Sequence, residues 1–271
     1  MSEKNSLQAL FLRPKNWQMD SVKKENVWIL SVNVLLVGIL LSALMWFGFS
    51  RLQYVFMWEH VWYYRINMIN GFLMTIVISI SSLGLSVLLG IFFGLAQRSR
   101  IHMLRIFSRI YIEAIRGTPL LVQILIFFYV IANALGLNNR YVAGILIMSI
   151  FSGAYLAEII RAGVESIGST QIETARAIGL TKRQTYRFVV FPQVITRVLP
   201  PLAGQFASLI KDSSLLSIIA IKEFTLAARE VNANTFSTLE SYIPLAIGYL
   251  LLTLPISYLT GRLERRYRYE T

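Results

Sequence analysis

The chain contains no cysteine, which excludes disulfides, thiolate catalysis and cysteine-ligated zinc. Its two histidines, His60 and His102, fall on opposite sides of the bilayer in the topology derived below. They cannot jointly hold a metal or haem within one chain, and both are expected as surface or interface residues. No G-x-x-x-x-G-K-S/T string occurs, so the chain cannot cradle nucleotide phosphates in the P-loop manner. There is also no HExxH and no recognisable Ser-His-Asp arrangement. Charge is scarce: Asp, Glu, Lys and Arg make up 15% of the residues, against roughly 25% in soluble domains.

Hydrophobic residues supply 55% of the chain, and they come in long charge-free runs: Val27–Phe49, Ile66–Gln97, Gly117–Asn139, Tyr141–Ala157 and Ser241–Gly261. Each is close to the ~20 residues needed to cross ~30 Å of hydrocarbon. A sixth run, Pro200–Ile221, is interrupted by Lys211-Asp212. These runs predict an all-α, polytopic membrane protein with six transmembrane helices. Residues 1–26 are polar and the run after them is too long for the core of a signal peptide, so a retained first span is expected.

Lysine and arginine set the orientation. With residues 1–26 in the cytoplasm and six alternating spans, all but Arg51, Arg65, Arg140, Lys211, Lys222 and Arg229 of the 26 basic residues lie in cytoplasmic segments. Both termini and the loop 164–192 are then cytoplasmic. This bias accounts for the net charge of +12 without a nucleic-acid partner; the expected surroundings are membrane lipid.

In chain order, Trp46, Trp58, Trp62, Tyr63 and Tyr64 are expected to anchor at the outer interface. Ser82, Ser86, Gly90 and Gly94 recur every four residues, a small face that lets a neighbouring helix approach closely. Arg105, Arg109, Glu113 and Arg116 share one face of an amphipathic stretch whose other face carries Phe107, Ile110, Tyr111 and Ala114. Gly117-Thr118-Pro119 breaks it, with Thr118 as cap and Pro119 as the first residue of the next helix. Glu158 and Arg161, three apart, share a face near the end of the fourth span, where a carboxylate is either functional or paired at the interface. Lys211 and Asp212 fall near the middle of the fifth span and need separate partners or an aqueous cavity. Lys222–Glu240 reads as an outer helix and loop, and Pro244 and Pro255 interrupt the last span.

The most organised polar stretch is Ser169–Pro192. Thr170-Gln171-Ile172-Glu173 and Thr181-Lys182-Arg183-Gln184 both have the form of a capping box. Gly179 between them is suited to the left-handed conformation that ends a helix. A short helix, a glycine break and a second helix are predicted. Ile172, Ala175, Ala177 and Ile178 offer aliphatic surface to a partner.

Glu173-Thr174-Ala175 with Gly179 resembles the EAA loop of ABC-importer permeases, Thr174 replacing the first alanine. Tyr111-Ile112-Glu113-Ala114-Ile115-Arg116-Gly117-Thr118-Pro119-Leu120-Leu121-Val122-Gln123 closely resembles the signature of permeases for polar amino acids. Lys211-Asp212-Ser213-Ser214-Leu215 is similar to their KDTSL element, Ser213 replacing threonine. The resemblance covers about Asn70 to Arg262 and implies a type I ABC importer transmembrane domain. It divides the chain into a basic tail (1–26), an additional first helix with an aromatic outer loop (27–65), a permease core (66–262) and a C-terminal tail (263–271).

The resemblance further implies a second permease chain, identical or homologous, and two ABC ATPase subunits that bind ATP and Mg. An extracytoplasmic solute-binding protein and alternating access complete the expectation. Glu173, Thr174, Ala175, Ala177, Gly179 and Leu180 would form the coupling element to the ATPase. The substrate path is placed at Gln123, Tyr155, Glu158, Gln205, Lys211 and Asp212, the carboxylates receiving an ammonium or guanidinium and the amides an α-amino acid group. No cofactor and no catalytic residue is expected in this chain. An ion-coupled secondary transporter of a small polar solute would also suit intramembrane charges and broken spans; it leaves the Glu173 loop without a task, and no repeat relates the two halves. A non-transporting scaffold is the third reading.

Overall fold

A computed structural model describes residues 27–51 and 54–267. It divides into two compact units, Met1–Val55 and Phe56–Thr271. In the first unit, helix α1 (Val27–Ser50) is a 24-residue apolar rod, with large side chains such as Trp28, Leu40 and Trp46 exposed. An exposed aliphatic surface suits lipid, where apolar side chains meet no water.

The second unit is a helical bundle with no strand among the described residues. Its elements are α2 (Trp58–Tyr63), α3 (Arg65–Ala96), α4 (His102–Arg116) and α5 (Leu120–Ile126), the last continued by a π-turn over Phe127–Ala132. Then come α6 (Arg140–Glu165), α7 (Ser169–Ala177) and α8 (Lys182–Thr185), with a π-turn over Tyr186–Val190. Helix α9 (Phe191–Asp212) runs into a 3₁₀ segment, Ser213–Ile219, and α10 (Phe224–Thr235) and α11 (Thr238–Tyr267) close the bundle.

Helices α3 and α6 form its spine, and the small residues explain their contact. A Cβ on Gly90 would lie 2.6 Å from the Leu156 Cβ, one on Gly94 2.9 Å from the Ala157 carbonyl oxygen, and one on Gly153 2.9 Å from the Leu89 Cβ. Backbones this close exclude any side chain there, as the four-residue spacing requires. Ser82 Oγ donates to the Ile145 carbonyl across the contact (3.3 Å). The main core, including Ile78, Ile124, Met148, Leu209 and Leu216, fills the space between α3, α5, α6 and α9.

By length and composition the described residues hold four candidate spans: 31–48, 65–96, 140–165 and 238–264. A fifth counts if α4 and the α5 segment, bent by 110°, form one broken span. The sixth expected span, at α9, is not among these candidates. That helix covers 22 residues, about 33 Å at ~1.5 Å per residue, but Gln193, Arg197, Gln205, Lys211 and Asp212 make it too polar to qualify. Its bounds also differ from the expected Pro200–Ile221. It starts at Phe191 because Pro192 sits in its first turn, where a missing N–H costs nothing. Pro200 and Pro201 lie inside the helix. Helix α9 ends at Asp212, so Lys211 and Asp212 stand at a helix end and not at mid-span.

Two predicted caps are also corrected. Helix α5 begins at Leu120 with Pro119 as its N-cap, because the Thr118 hydroxyl donates to the Ala114 carbonyl (2.8 Å) instead of capping. Helix α7 begins at Ser169 with Gly168 as N-cap, two residues too early for a box on Thr170. Caps not anticipated occur at Asn139, whose side chain accepts from the Tyr141 and Val142 amides, and at Glu223, which accepts from the Thr225 and Leu226 amides, both at 2.8 Å.

At the end of the bundle far from α7, His60 Nδ1 lies 2.7 Å from Ser237 Oγ, and the Met57 amide donates to the Glu240 carboxylate. These contacts pin α2 against the α10–α11 turn. Trp58, Trp62 and Tyr63 remain exposed. His102 lies at the start of α4, at the opposite end of α3 from His60, and the described residues contain no cluster able to hold a metal ion.

Candidate functional site

Two features lie at the end of the bundle that carries α7 and α8: an elbow and a charged cavity. The elbow follows from Gly179. Its φ of +84° is the left-handed conformation that glycine adopts without penalty. The Gly179 amide donates to the Arg176 carbonyl (2.9 Å) and the Leu180 amide to the Ala175 carbonyl (3.0 Å). That 5→2 and 6→1 pair is a Schellman motif, and it unites Ala175, Gly179 and Leu180 of the expected coupling set. The second helix starts two residues later with the predicted capping box, the Thr181 hydroxyl accepting from the Gln184 amide (3.3 Å) and the Gln184 side chain accepting from the Thr181 amide (2.9 Å).

Exposure sorts the coupling residues. Glu173, Thr174, Ala177 and Gly179 are open to solvent, and Ile178 is 73% exposed. Ala175 is buried and Leu180 half-buried, which corrects the expectation that Ala175 belongs to the outward surface. It packs as the C3 side of the Schellman turn, where an apolar contact with the residue after the glycine is usual. Sequence reasoning missed how the elbow is fastened. Gln193 Nε2 donates to Gln171 Oε1, and the Arg197 guanidinium donates to the Ser166 carbonyl. The first bond joins α7, and the second the C-cap of α6, to the first turns of α9. Polar side chains opening an otherwise apolar span were the available signal.

The cavity, about 320 Å³, lies where the ends of α3, α4 and α6 meet, and Gln97, Arg109, Glu113, Arg116, Glu158 and Arg161 line it. Arg161 holds Glu158 in a two-point grip, Nε to Oε2 at 3.0 Å and Nη2 to Oε1 at 2.5 Å. It also reaches Glu165 one turn on. Arg116 approaches Glu158 Oε1 at 3.8 Å, and its guanidinium stands 5.5 Å from the Tyr155 ring centroid, a cation–π distance. Glu158 is therefore paired, as the interfacial reading of that carboxylate required. Gln97 Nε2 is buried and has no hydrogen-bond partner among the described residues. An unsatisfied amide costs about 1–3 kcal/mol, so this donor is available to an incoming acceptor.

The remaining substrate-path residues lie elsewhere. Gln123 is 5% exposed, and its amide nitrogen donates to the Ile115 and Thr118 carbonyls (2.7 and 3.0 Å) and to Thr118 Oγ1 (2.7 Å). It braces the bend between α4 and α5. Lys211 is exposed, and Gln205 and Asp212 are half-buried on α9. The segment that follows Asp212 packs on α6 near Gly144, whose added Cβ would meet Ile221 at 2.4 Å and Leu216 at 3.4 Å. Glu158 lies some 14 residues further along α6, about 21 Å at ~1.5 Å per residue. Asp212 is not among the residues that line the cavity at Glu158. Tyr155 and Glu158 belong together; Arg116, Arg109 and Gln97 join them, and sequence reading had not proposed these three as contacts.

Residues 86–269 match the family described as binding-protein-dependent transport system inner membrane component. The chain is 35% identical over 213 residues to the glutamine transport system permease protein GlnP of Escherichia coli (strain K12), covering 78% of this chain and 97% of that one. It is 36% identical over 198 residues to the L-cystine transport system permease protein TcyB of Bacillus subtilis (strain 168), covering 73% and 85%. A solved amino acid ABC transporter with histidines superposes with a TM-score of 0.72 at 35% identity, covering 79% of this chain and all of that one.

Proposed function

This chain belongs to the binding-protein-dependent transport system inner membrane component family and is the permease subunit of an amino-acid ABC importer; from that premise we propose that the elbow at Gly179 is its coupling element and the cavity at Glu158 its substrate station. The elbow is the observation that carries this reading. A polypeptide with no nucleotide-binding loop must receive mechanical work from another, and a short, capped, two-helix hook with exposed Glu173, Ala177 and Ile178 is suited to receive it. The Gln171–Gln193 bond passes a displacement of α7 directly to α9, and the Ser166–Arg197 bond ties the end of α6 to the same helix. That helix is too polar to face lipid all round, which supports its lining an aqueous path beside a second permease chain.

The cavity offers both charges of an α-amino acid a partner. Arg116, Arg109 and the free Gln97 amide would take the carboxylate, and Glu158 or Glu113 the ammonium. The cavity volume lies at the small end of the ~300–1,000 Å³ usual for ligand pockets, which fits one small polar amino acid. In the working cycle the elbow and both termini face the cytoplasm. Two ATPases hydrolyse MgATP, a solute-binding protein delivers the amino acid from outside, and the bundle alternates between outward and inward openings.

The test is uptake into proteoliposomes by the complete complex, one amino acid at a time. Glu158→Gln removes a charge held by two arginines. With solvent screening this loses about 1 kcal/mol, so KM rises about fivefold while ATP hydrolysis without substrate is unchanged. A KM equal to that of the unaltered complex would remove Glu158 from the path.

A further inference from the structure

A second cavity lies outside the site described above. It is a groove of about 650 Å³ between α3, α6 and α9 at the elbow end, with Ile91, Leu95, Val164, Val194, Val198 and Leu202 among its walls. Among the described residues its only charged lining side chains are Arg183 and Arg187, close in sequence to the lining Tyr186. Spacings of three and four place Arg183, Tyr186 and Arg187 on one helix face. The chain there runs through a π-turn, Tyr186–Val190, a distortion that recurs at functional positions. Neither arginine makes an ion pair among the described residues.

We infer that this groove holds one acyl chain of an anionic phospholipid of the inner leaflet, its phosphate bound between Arg183 and Arg187. The inference rests on the proposed orientation, which puts the elbow end at the cytoplasmic surface. Three observations favour lipid over a protein helix. The walls are large aliphatic side chains, whereas membrane helices that pack closely use glycine, alanine and serine, as α3 and α6 do at Gly90 and Gly94. Between helices in lipid there is no hydrophobic force to bury such a groove against protein, but an acyl chain fills it at no cost. The apolar part runs from Val190 to Leu202, twelve helical steps along α9 and its preceding turn, or about 18 Å at ~1.5 Å per residue; one leaflet supplies about 15 Å of hydrocarbon, half of ~30 Å. Basic pockets between helices at the cytoplasmic surface select acidic headgroups.

The complete complex is purified from nanodiscs of phosphatidylcholine and phosphatidylglycerol in equal parts, and retained lipid is counted by native mass spectrometry. At about fivefold per basic residue, two arginines predict retention of phosphatidylglycerol over phosphatidylcholine by about twenty-five-fold. The R183Q/R187Q double variant brings that ratio close to one, and Ile195→Trp, which fills the groove, lowers retention of both lipids. Equal retention by the unaltered complex, an undiminished preference in the double variant, or a cross-link from position 195 to a second permease chain would overturn the inference. Amino-acid uptake measured on the same preparation keeps the two readings apart: lipid preference without uptake refutes the transport assignment alone, and uptake without preference refutes the lipid site alone.

Discussion

Replacing Gly179 isolates the elbow's conformation from every contact around it. An added Cβ there meets nothing within 4 Å, so steric collision contributes nothing and the whole effect is the penalty for φ +84°. For an L-residue that penalty is about 1–2 kcal/mol, and each ~1.4 kcal/mol is tenfold in an equilibrium. The bent elbow therefore loses about five- to thirtyfold in population relative to its open forms in Gly179→Ala. Valine adds the stiffness of a branched Cβ and loses more, whereas asparagine tolerates the left-handed region and loses less. Substrate-stimulated ATP hydrolysis and uptake by the reconstituted complex should fall in the order Asn, Ala, Val. Amide hydrogen exchange at Gly179 and Leu180, whose donors close the Schellman turn, should quicken in the same order. Native coupling in all three variants, with exchange accelerated as expected, would refute the claim that the bent elbow carries the work.

Gly90→Ala drives a methyl to within 2.6 Å of the Leu156 Cβ; a cost of about 1–3 kcal/mol lowers the melting temperature in detergent, while Gly84→Ala, with open space around it, does not. Gln123→Ala leaves the Ile115 and Thr118 carbonyls at the bend without their donor, about 1–3 kcal/mol, seen as a lower melting temperature with KM for the amino acid unchanged; a raised KM at native stability would restore Gln123 to the substrate path. Burial raises the Glu223 carboxyl above its ordinary value against the lowering effect of its hydrogen bonds. Its contribution to stability is then complete below the ordinary carboxylate value and is lost as pH rises through the raised one. Thermal melts across that range should show a downward slope that Glu223→Gln flattens, and an identical slope in both proteins would refute it.

Local sequence signals held at the elbow's glycine and at its second helix start, though not at Thr170. Gly179 and the Thr181–Gln184 box specify their backbone conformations within a few residues, and both appear as read. The repeat of Ser82, Ser86, Gly90 and Gly94 announced a close helix contact but could not name α6 as the partner, because any neighbour accepts a small-residue face. The cap expected at Thr118 failed because Gln123, five residues on, competes for the same hydroxyl and the adjacent carbonyls. That competition exists only once the 110° bend has formed.

The residue order alone determined that this chain is helical and membrane-embedded, because the length of an apolar run against the thickness of hydrocarbon is a one-dimensional quantity. It also determined the family and the elbow, which are encoded in short fixed-register strings. Tertiary structure decided which charges meet. Glu158 lies with Arg116 across a helix boundary and apart from Asp212, since depth along α6 and the rotation of each helix depend on how neighbours pack. The same packing opened the groove beneath Arg183 and Arg187, whose walls come from three helices distant in sequence.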